Sequence, residues 1–528
     1  MRMNDRDLVR LSTPRFTRRT ALRGGIGAVA ATSAMRYGLR GGYAQDATPV
    51  SAEPLPDLTG ETIRIFTFAG NPFIEGPVKA HAPEFEALTG AKIEITTAAF
   101  NDLFTRAQQV AQTGAGDFDV LLLANTWVAD FVDLEYVIAL DDLIARDSAD
   151  ANLAWDDVPD GIKNKNSWGG STYAFIVDND NQSMFYRKDV LEDPAWQEQF
   201  MAEAGRELTV PQTLTEFVEV AKFFTGKDWS PDVEGDKFGF VTCVQRNAQL
   251  AWYCYPWASP YAVVPKESAP AQGVFLFDPD MNPLVNTEGW VRGITEMTDA
   301  VNNAMRPGGD TDRAAVISEI TNGHAFASFD WGDTGPGSVA EDSIVKDKVG
   351  FALTPGSTEY FDWQTSTWVT VEGDVHRAPT HAFNGWSYFI TSQASNVDAA
   401  WSWLKYHASP AVSAIDVASP SSGFQPWRLS HSTNLDPWVA ANWTAEEAQA
   451  YVDNILAVTN HPNAVFDPRV PGADRYQQTL ELNLQRALLG EADPQTAMDD
   501  CATEFNSITD ELGKDAQIAA YKAHLGIT

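Results

Sequence analysis

The feature that most constrains this chain's fold is an alternation of strand-like and helix-like segments between residues 62 and 123. Thr62 to Phe68 and Ala91 to Thr97 carry the β-branched and aromatic residues typical of strands. Phe118 to Leu123 is almost wholly apolar, as expected for a strand covered on both faces. The intervening segments have the apolar spacing of helices. Strand, helix, strand, helix, strand is the signature of a parallel sheet with crossover helices, so the sequence predicts an α/β fold.

Two polar segments follow strands of this predicted sheet. Residues 69–71 come directly after the first strand, and residues 124–127 come after the third. In parallel sheets, ligands bind beyond the carboxyl ends of the strands, which share one edge. Either segment alone would more often be a plain turn, but their convergence is a first sign of a ligand site at this edge of the sheet.

The stretch from Tyr173 to Asp189, YAFIVDNDNQSMFYRKD, changes character abruptly. Its apolar start is interrupted by the polar run Asp178 to Ser183 and resumes at Met184. Buried polar groups are costly unless each finds a partner, so a single buried strand should not break in this way. One interpretation is two short strands joined by a polar bend. The other is a segment that passes between two lobes with its bend facing a cleft. A chain of 528 residues is too long for one ordinary core, so two or more lobes are expected.

The N-terminus has the three parts of an export signal. Thr17 to Leu22 is a twin-arginine pattern, Gly24 to Ala34 is weakly apolar, and Gly42-Tyr43-Ala44 places small residues before Gln45. The alternative is a disordered basic tail. No later stretch approaches the ~18 consecutive apolar residues that span a bilayer. The sequence predicts a twin-arginine signal peptide over residues 1–44 and an exported, soluble mature protein.

Charge and cysteine content restrict the possible partners. The net charge of −35 should repel nucleic acid and anionic membrane surfaces. Cys243 and Cys254 could pair in an oxidising compartment, which would leave Cys501 over. Equally, all three cysteines could be small buried hydrophobic residues.

The sequence contains few signs of catalysis. It has no Gly-x-Ser-x-Gly elbow, phosphate loop or zinc spacing, and its eight histidines are scattered. We therefore expect no metal and no cofactor. A carboxylate pair of the glycosidase type is set in space and not by spacing, so an exported carbohydrate-active enzyme is the alternative to a binding protein. A cofactor enzyme is a third option, because twin-arginine export often serves proteins that fold around cofactors.

Aromatic residues favour a binding protein. The chain has seventeen tryptophans, and several lie beside Gly, Asn or Asp at predicted strand ends: Trp127, Trp331, Trp386 and Trp427. Aromatic faces stack on the apolar faces of sugar rings, while neighbouring polar side chains bond to hydroxyls. Each of these tryptophans has about equal claim to be a ligand platform or a core residue.

Several segments, taken in order, resemble one known family. They are the twin-arginine leader, TIRIFTFAG, FDVLLLANTW, YAFIVDNDNQSMFYRKDV, NGHAFASFDWG and FNGWSYFITS. This ordered set resembles the carbohydrate-type (family 1) extracellular solute-binding proteins of ABC transporters. Maltose-binding protein is a distant relative. In that family a proline is common where this chain has Ile176-Val177. The resemblance implies a type II, two-lobed periplasmic-binding-protein-like fold, with two α/β lobes joined by a multi-segment hinge around a ligand cleft.

The resemblance also implies lobe boundaries and ligand contacts. Lobe one would be residues 57–175 plus 388–425, and lobe two residues 178–385 plus 428–528. The implied contacts are Asn71, Asn125 and Trp127 from lobe one; Asp178, Asp180, Trp257, Asp330, Trp331 and Asp333 from the first crossing or lobe two; Asn384 and Trp386 at a second crossing; and Arg428 at a third.

The function that the resemblance implies is that of a periplasmic receptor. It would be a monomer that captures a neutral carbohydrate or polyol and hands it to ABC permease subunits at the inner membrane. Such a protein makes and breaks no covalent bonds, and hinge closure on the ligand couples capture to docking.

Overall fold

A computed structural model describes residues 53–69, 72–265, 274–341 and 343–527. The predicted signal peptide and Asn71 lie outside the described residues. Among the described residues, no helix is both long enough and apolar enough to cross a lipid bilayer. The three cysteines are buried and unpaired, so the disulfide alternative for Cys243 and Cys254 is wrong.

The described chain contains fourteen strands, β1 to β14. In chain order they are Thr62–Phe68, Lys92–Ala98, Val120–Ala124, Ser167–Trp168, Ser171–Thr172, Phe175–Asp178, Gln182–Arg187, Ala327–Trp331, Val349–Ala352, Glu359–Asp362, Thr367–Thr370, Thr380–His381, Trp386–Ile390 and Val465–Phe466.

The α-helices of the described chain are labelled α1 to α20. In chain order they are Pro72–Thr89, Phe100–Thr113, Val128–Asp133, Asp141–Arg146, Asp160–Asn166, Lys188–Leu191, Pro194–Ala204, Leu214–Phe224, Leu250–Ala262, Glu288–Ala304, Arg313–Thr321, Thr334–Ser338, Val397–His407, Pro410–Ala418, Leu429–Thr433, Asp436–Ala440, Ala445–Thr459, Ala473–Leu488, Pro494–Leu512 and Lys514–Leu525. Short 3-10 turns span Asn125–Trp127, Trp155–Asp157 and Ala382–Asn384.

The first sheet has five strands in the order β2-β1-β3-β13-β6. Strand β1 runs parallel to both β2 and β3, which confirms the parallel α/β pattern predicted for the first part of the chain. Strand β13 enters from much later in the sequence and pairs antiparallel with β3 and β6. Every residue of β3 is buried, as its apolar sequence predicts.

The second sheet has three antiparallel strands in the order β8-β7-β9. Strand β6 ends at Asp178 in the first sheet, and β7 begins at Gln182 in the second. The polar run between them therefore passes from one sheet to the other. The stretch is therefore two short strands joined by a polar segment, as the first interpretation predicts, and that segment runs between two sheets, as the second requires.

The apolar sequence from Phe238 to Val244 also predicts a strand, and this prediction is wrong. Residues Phe238 to Val244 form a single bridge to Ala325 and no regular strand. A Cβ at Gly239 would lie 1.7 Å from the carbonyl oxygen of Ala221, so this glycine brings the segment directly against helix α8. The amides that follow donate to carbonyls in different elements, Phe240 to Ala304 and Val241 to Ala327. The segment's hydrogen bonds are thus spread over several partners instead of forming one ladder.

The aromatic run after this segment forms helix α9, which is buried on all sides despite containing Pro256 and Pro260. Helix α10 packs against it through glycine, because a Cβ at Gly293 would lie 2.3 Å from the carbonyl oxygen of Trp257. This close backbone approach holds α9 and α10 directly against each other.

Candidate functional site

Three chain segments meet beside the two sheets, at the places where the family resemblance implies crossings between lobes. They are named by that expectation the first crossing (residues 178–181), the second crossing (382–386) and the third crossing (423–428). Gln425 joins the third to the first, because its backbone amide donates to Asp178 Oδ1 at 2.8 Å and its Nε2 donates to Asp180 Oδ1 at 2.9 Å. Gly385 brings the second crossing against the first. Its φ is +88°, and a Cβ there would lie 2.3 Å from the carbonyl oxygen of Asp178.

A cavity opens beside these crossings. It holds about 260 Å³ of non-atom space, including its open mouth. It is lined by Phe68, Ile74, Asp178, Asp180, Gln249, Arg313, Trp331, Asp333, Phe383, Trp386 and Gly423. The first sheet provides Phe68 and Trp386, and the second provides Trp331, so the lining comes from both units.

The aromatic residues of the lining form two stacked pairs. The rings of Phe68 and Trp386 have centroids 5.9 Å apart and an interplanar angle of 7°. Those of Trp331 and Phe383 are 5.6 Å apart at 22°. The guanidinium of Arg313 lies 5.3 Å from the centroid of the Trp331 ring. Each ring is therefore held by a neighbour, which gives the cavity rigid apolar walls.

Carboxylates supply most of the polar lining. Asp178 is fully buried and Asp333 is 5% exposed. Asp333 pairs with Arg313 through one oxygen, but Asp333 Oδ1 and Asp178 Oδ2 have no hydrogen-bond partner among the described residues. Burial raises the pKa of Asp178 and of Asp180 well above the usual value, and neighbouring carboxylates add to both shifts. An unpaired buried acceptor is costly, so this lining favours a bound molecule that donates hydrogen bonds.

A buried lysine, Lys165, is hydrogen-bonded to the first crossing. Lys165 Nζ donates to Asn179 Oδ1 at 2.6 Å and lies 2.9 Å from His381 Nδ1. Asn179 Nδ2 in turn donates to the carbonyl oxygen of Pro426 and to Thr459 Oγ1. Burial lowers the pKa of Lys165 to about 7, while Asp180 and Asp178 oppose that shift. Lys165 links the first crossing to His381, the residue directly before the second crossing, and Asn179 extends the link to the third.

The structure brings some of the predicted ligand-binding residues together at the cavity. These are Asp178, Asp180, Trp331, Asp333 and Trp386.

The predicted asparagines serve the backbone instead of lining the cavity. Asn125 Nδ2 donates to the carbonyl oxygen of Lys165 at 2.6 Å. Asn384 Nδ2 donates to Thr126 Oγ1 at 3.1 Å and to the carbonyl oxygen of Asp467 at 2.9 Å. Both side chains are buried and brace the segments around the second crossing.

The structure places the remaining predicted residues in the packed interior, away from the cavity lining. Trp257 is fully buried in helix α9 and packs on Phe329, with ring centroids 5.1 Å apart. Trp127 packs on Phe104 at 5.3 Å, and Asp330 accepts hydrogen bonds from Tyr253 and Thr334. Arg428 donates to the backbone carbonyls of Leu153, Ala154 and Ala408. A tryptophan or charge at a strand end therefore does not by itself identify a cavity residue.

Several lining residues were not predicted: Phe68, Ile74, Gln249, Arg313, Phe383 and Gly423. Phe68 is the last residue of the first strand, directly before the predicted turn. Its position at a strand end could therefore have predicted that it lines the cavity. Gln249 and Phe383 adopt left-handed backbone conformations with φ of +78° and +58°, which no sequence pattern indicates for these residue types. Among the described residues, no group of three or more His, Cys, Asp or Glu side chains could hold a metal ion.

Known proteins provide an independent comparison. The sequence model of a family described as bacterial extracellular solute-binding protein matches residues 80–447, most of the chain. A ribitol-bound ABC transporter solute-binding protein of Agrobacterium radiobacter K84 has a similar fold, with a TM-score of 0.66 and 21% identity over 86% of this chain and 100% of its own. Maltose-bound MalE3 of T. maritima gives 0.64 and 18% over 85% of this chain and 99% of its own. A D-mannitol-bound ABC transporter solute-binding protein of Agrobacterium vitis S4 gives 0.63 and 18%, over 86% and 99%.

Proposed function

Because the chain belongs to the bacterial extracellular solute-binding protein family, we propose that it captures a neutral carbohydrate or polyol in the cavity between its two sheets and delivers it to the permease of an ABC importer. The similar structures named above hold ribitol, maltose and D-mannitol, which supports this class of solute. In this role the protein binds and releases its ligand unchanged.

One observation carries the proposal: the buried lining presents acceptors that lack donors, beside rigid aromatic walls. Asp178 Oδ2 and Asp333 Oδ1 have no partner among the described residues, and Trp331 and Trp386 lie in the same lining. A polyhydroxylated molecule offers several O–H donors and, between them, C–H groups that pack on aromatic rings. A phosphorylated or carboxylated solute fits less well, because three aspartates and a single arginine line the cavity.

The cavity is narrow in this structure. Its 260 Å³ includes open solvent at the mouth, and the enclosed part has room for only about one or two water molecules. Binding of a polyol or a sugar in this cavity would therefore require the two sheets to separate further.

The proposal includes export to the periplasm through the twin-arginine sequence, with cleavage before Gln45, and action as a monomer. N-terminal sequencing of the protein recovered from the periplasm of a producing cell checks this part. We expect a chain that begins at Gln45; recovery of the intact leader in the cytoplasm would contradict it.

Thermal unfolding in the presence of candidate solutes tests the binding function. The panel contains glycerol, ribitol, D-mannitol, D-tagatose and maltose, with phosphate as the anionic control. A bound solute stabilises the folded chain by about 2.7 kcal/mol at 100 times its Kd, and the shift grows with concentration. Mass analysis of the recovered solute then distinguishes a receptor from a carbohydrate-active enzyme. Stabilisation with intact solute is expected; turnover of the solute, or no shift with any polyol or sugar, would contradict the proposal.

A further inference from the structure

A glutamine in the cavity lining has no partner for its side-chain carbonyl. Gln249 is 6% exposed and lines the cavity beside Asp178 and Arg313. Its Oε1 is buried and has no hydrogen-bond partner among the described residues. A buried amide oxygen is costly to leave unpaired, so its place in the lining points to a donor that arrives with a bound molecule.

The backbone around this glutamine is strained. Gln249 has a φ of +78° and Asn247 a φ of +58°, so two non-glycine residues of one short segment lie in the left-handed region. Such conformations are unfavourable for residues with a Cβ and persist only where the surroundings impose them. Neighbouring groups must therefore hold this segment in its left-handed conformation.

A buried carboxylate from a distant helix holds the segment on both sides of Gln249. Glu481 in α18 accepts the amide of Asn247 on Oε2 at 2.6 Å and the amide of Ala251 on Oε1 at 3.3 Å. It is 4% exposed. The amide of Ala251 belongs to the first turn of α9, so one carboxylate fixes both the bent segment and the start of the helix.

We propose that Gln249 is a direct, specificity-determining ligand contact that accepts a hydrogen bond from a ligand hydroxyl, and that Glu481 is the residue that positions it. This inference rests on the proposed function and identifies one of the polar contacts that select the solute. The contact comes from the segment before α9, and its position is set by α18, which lies more than two hundred residues later in the chain.

A double-mutant cycle tests the assignment. Ribitol, D-mannitol and maltose are titrated calorimetrically into the wild type, and the tightest of the three serves as the probe. Gln249→Leu keeps the side chain's size and removes the acceptor; we expect about a tenfold weaker Kd, as for the loss of one buried hydrogen bond. Glu481→Gln presents an amide N–H to a backbone N–H, and we expect a similar loss. The double variant should bind no more weakly than either single variant, because both remove the same contact.

Two further variants separate positioning from general stability. Glu447→Gln alters another buried glutamate, which accepts the hydroxyl of Thr444 at the start of α17 and does not line the cavity. Its Kd for the probe should equal that of the wild type. Asn247→Gly makes the left-handed backbone favourable, so in the Glu481→Gln background it should restore part of the lost affinity.

Each result decides between the two proposals. If the wild type binds no polyol or sugar of the panel, the proposed function fails and this assignment fails with it. If the wild type binds a probe and Gln249→Leu binds it equally well, only the ligand contact is overturned. If the losses of the two single variants add in the double variant, Glu481 acts on the fold and not through Gln249.

Discussion

Asp178 illustrates the conflict between stability and binding at a single residue. One carboxylate oxygen accepts the amide of Gln425, while the other has no partner among the described residues. Burial raises the pKa of this carboxyl well above its usual value. Burying this carboxyl with one unpaired oxygen therefore lowers the stability of the folded chain. A hydrogen bond donated by a ligand to that oxygen would offset the cost.

We predict that Asp178→Asn weakens binding of the best solute about tenfold while raising the melting temperature of the unliganded chain. The amide still accepts from Gln425 but is neutral, so the cost of burying a charge disappears together with the anionic acceptor. Calorimetry and thermal unfolding measure the two effects. The exposed Asp156→Asn is the matched control and should change neither. Unchanged affinity in Asp178→Asn would contradict the contact.

Tryptophans of equal burial should differ in their effect on binding. Trp386→Ala and Trp331→Ala remove lining rings and should weaken affinity at least tenfold, whereas Trp257→Ala, in the core of helix α9, should leave it unchanged. All three should destabilise the chain by roughly 3–5 kcal/mol, the usual cost of emptying a buried aromatic site. Urea unfolding and calorimetry on the folded variants separate the two effects. A loss of affinity in Trp257→Ala equal to the others would refute this distinction.

At this scale the sequence predicted only part of the site. Asp178 and Asp180 were predictable because a polar break within an apolar run is a local signal. Gln249 was not, because its role depends on a left-handed backbone and on Glu481, far away in the chain. Trp257 and Trp127 were expected at the ligand, but a buried ring and a lining ring have the same sequence signature.

Among the elements, the three crossings form one hydrogen-bonded unit. Gln425 bonds to Asp178, Asp180 and the amide of Asn181. Gly385 permits the close approach of the second crossing to the first. We therefore expect the packing of the three crossings to be coupled to the position of the cavity carboxylates.

A glycine pair tests this coupling. Gly385→Ala should destabilise the chain by about 2–4 kcal/mol and weaken binding, because its Cβ would overlap the carbonyl of Asp178 in addition to requiring a left-handed residue. Gly373→Ala has a similar φ of +73° with nothing within 4 Å, so it should cost only about 1 kcal/mol and leave binding unchanged. Urea denaturation compares them. Equal stability of the two variants would contradict the close approach.

Local patterns were sufficient for the elements that alternate regularly. The first three strands and their crossover helices were predicted because hydrophobic periodicity is a local property. The segment from Phe238 to Val244 was misassigned because its hydrogen bonds go to distant elements. The pairing of β13 with β3 joins residues about 260 positions apart, and it was available only through the family resemblance.

For the molecule as a whole, buried ionisable groups make stability depend on pH. Burial lowers the pKa of Lys165 to about 7, from 10.5 in the unfolded chain. Between these values the unfolded state binds more protons than the folded state, so this residue's contribution to the free energy of unfolding rises as pH increases.

We predict that the stability of the wild type relative to Lys165→Met increases by about 2 kcal/mol between pH 7 and pH 9. The comparison cancels the contributions of titrating groups that do not interact with Lys165. Urea unfolding of both proteins at several pH values measures it. A difference in stability that does not change with pH would show that Lys165 keeps its proton in the folded chain. Its pKa would then not be lowered by burial.

A crystal structure of the chain with the most strongly stabilising member of the solute panel tests whether the cavity between the two sheets holds a polyhydroxylated solute. We expect one solute molecule beside Trp386 and Trp331, with its hydroxyls within hydrogen-bond distance of Asp178 and Asp333. A solute bound elsewhere, or a cavity filled by side chains while the solute binds outside it, would show that this cavity is not the binding site.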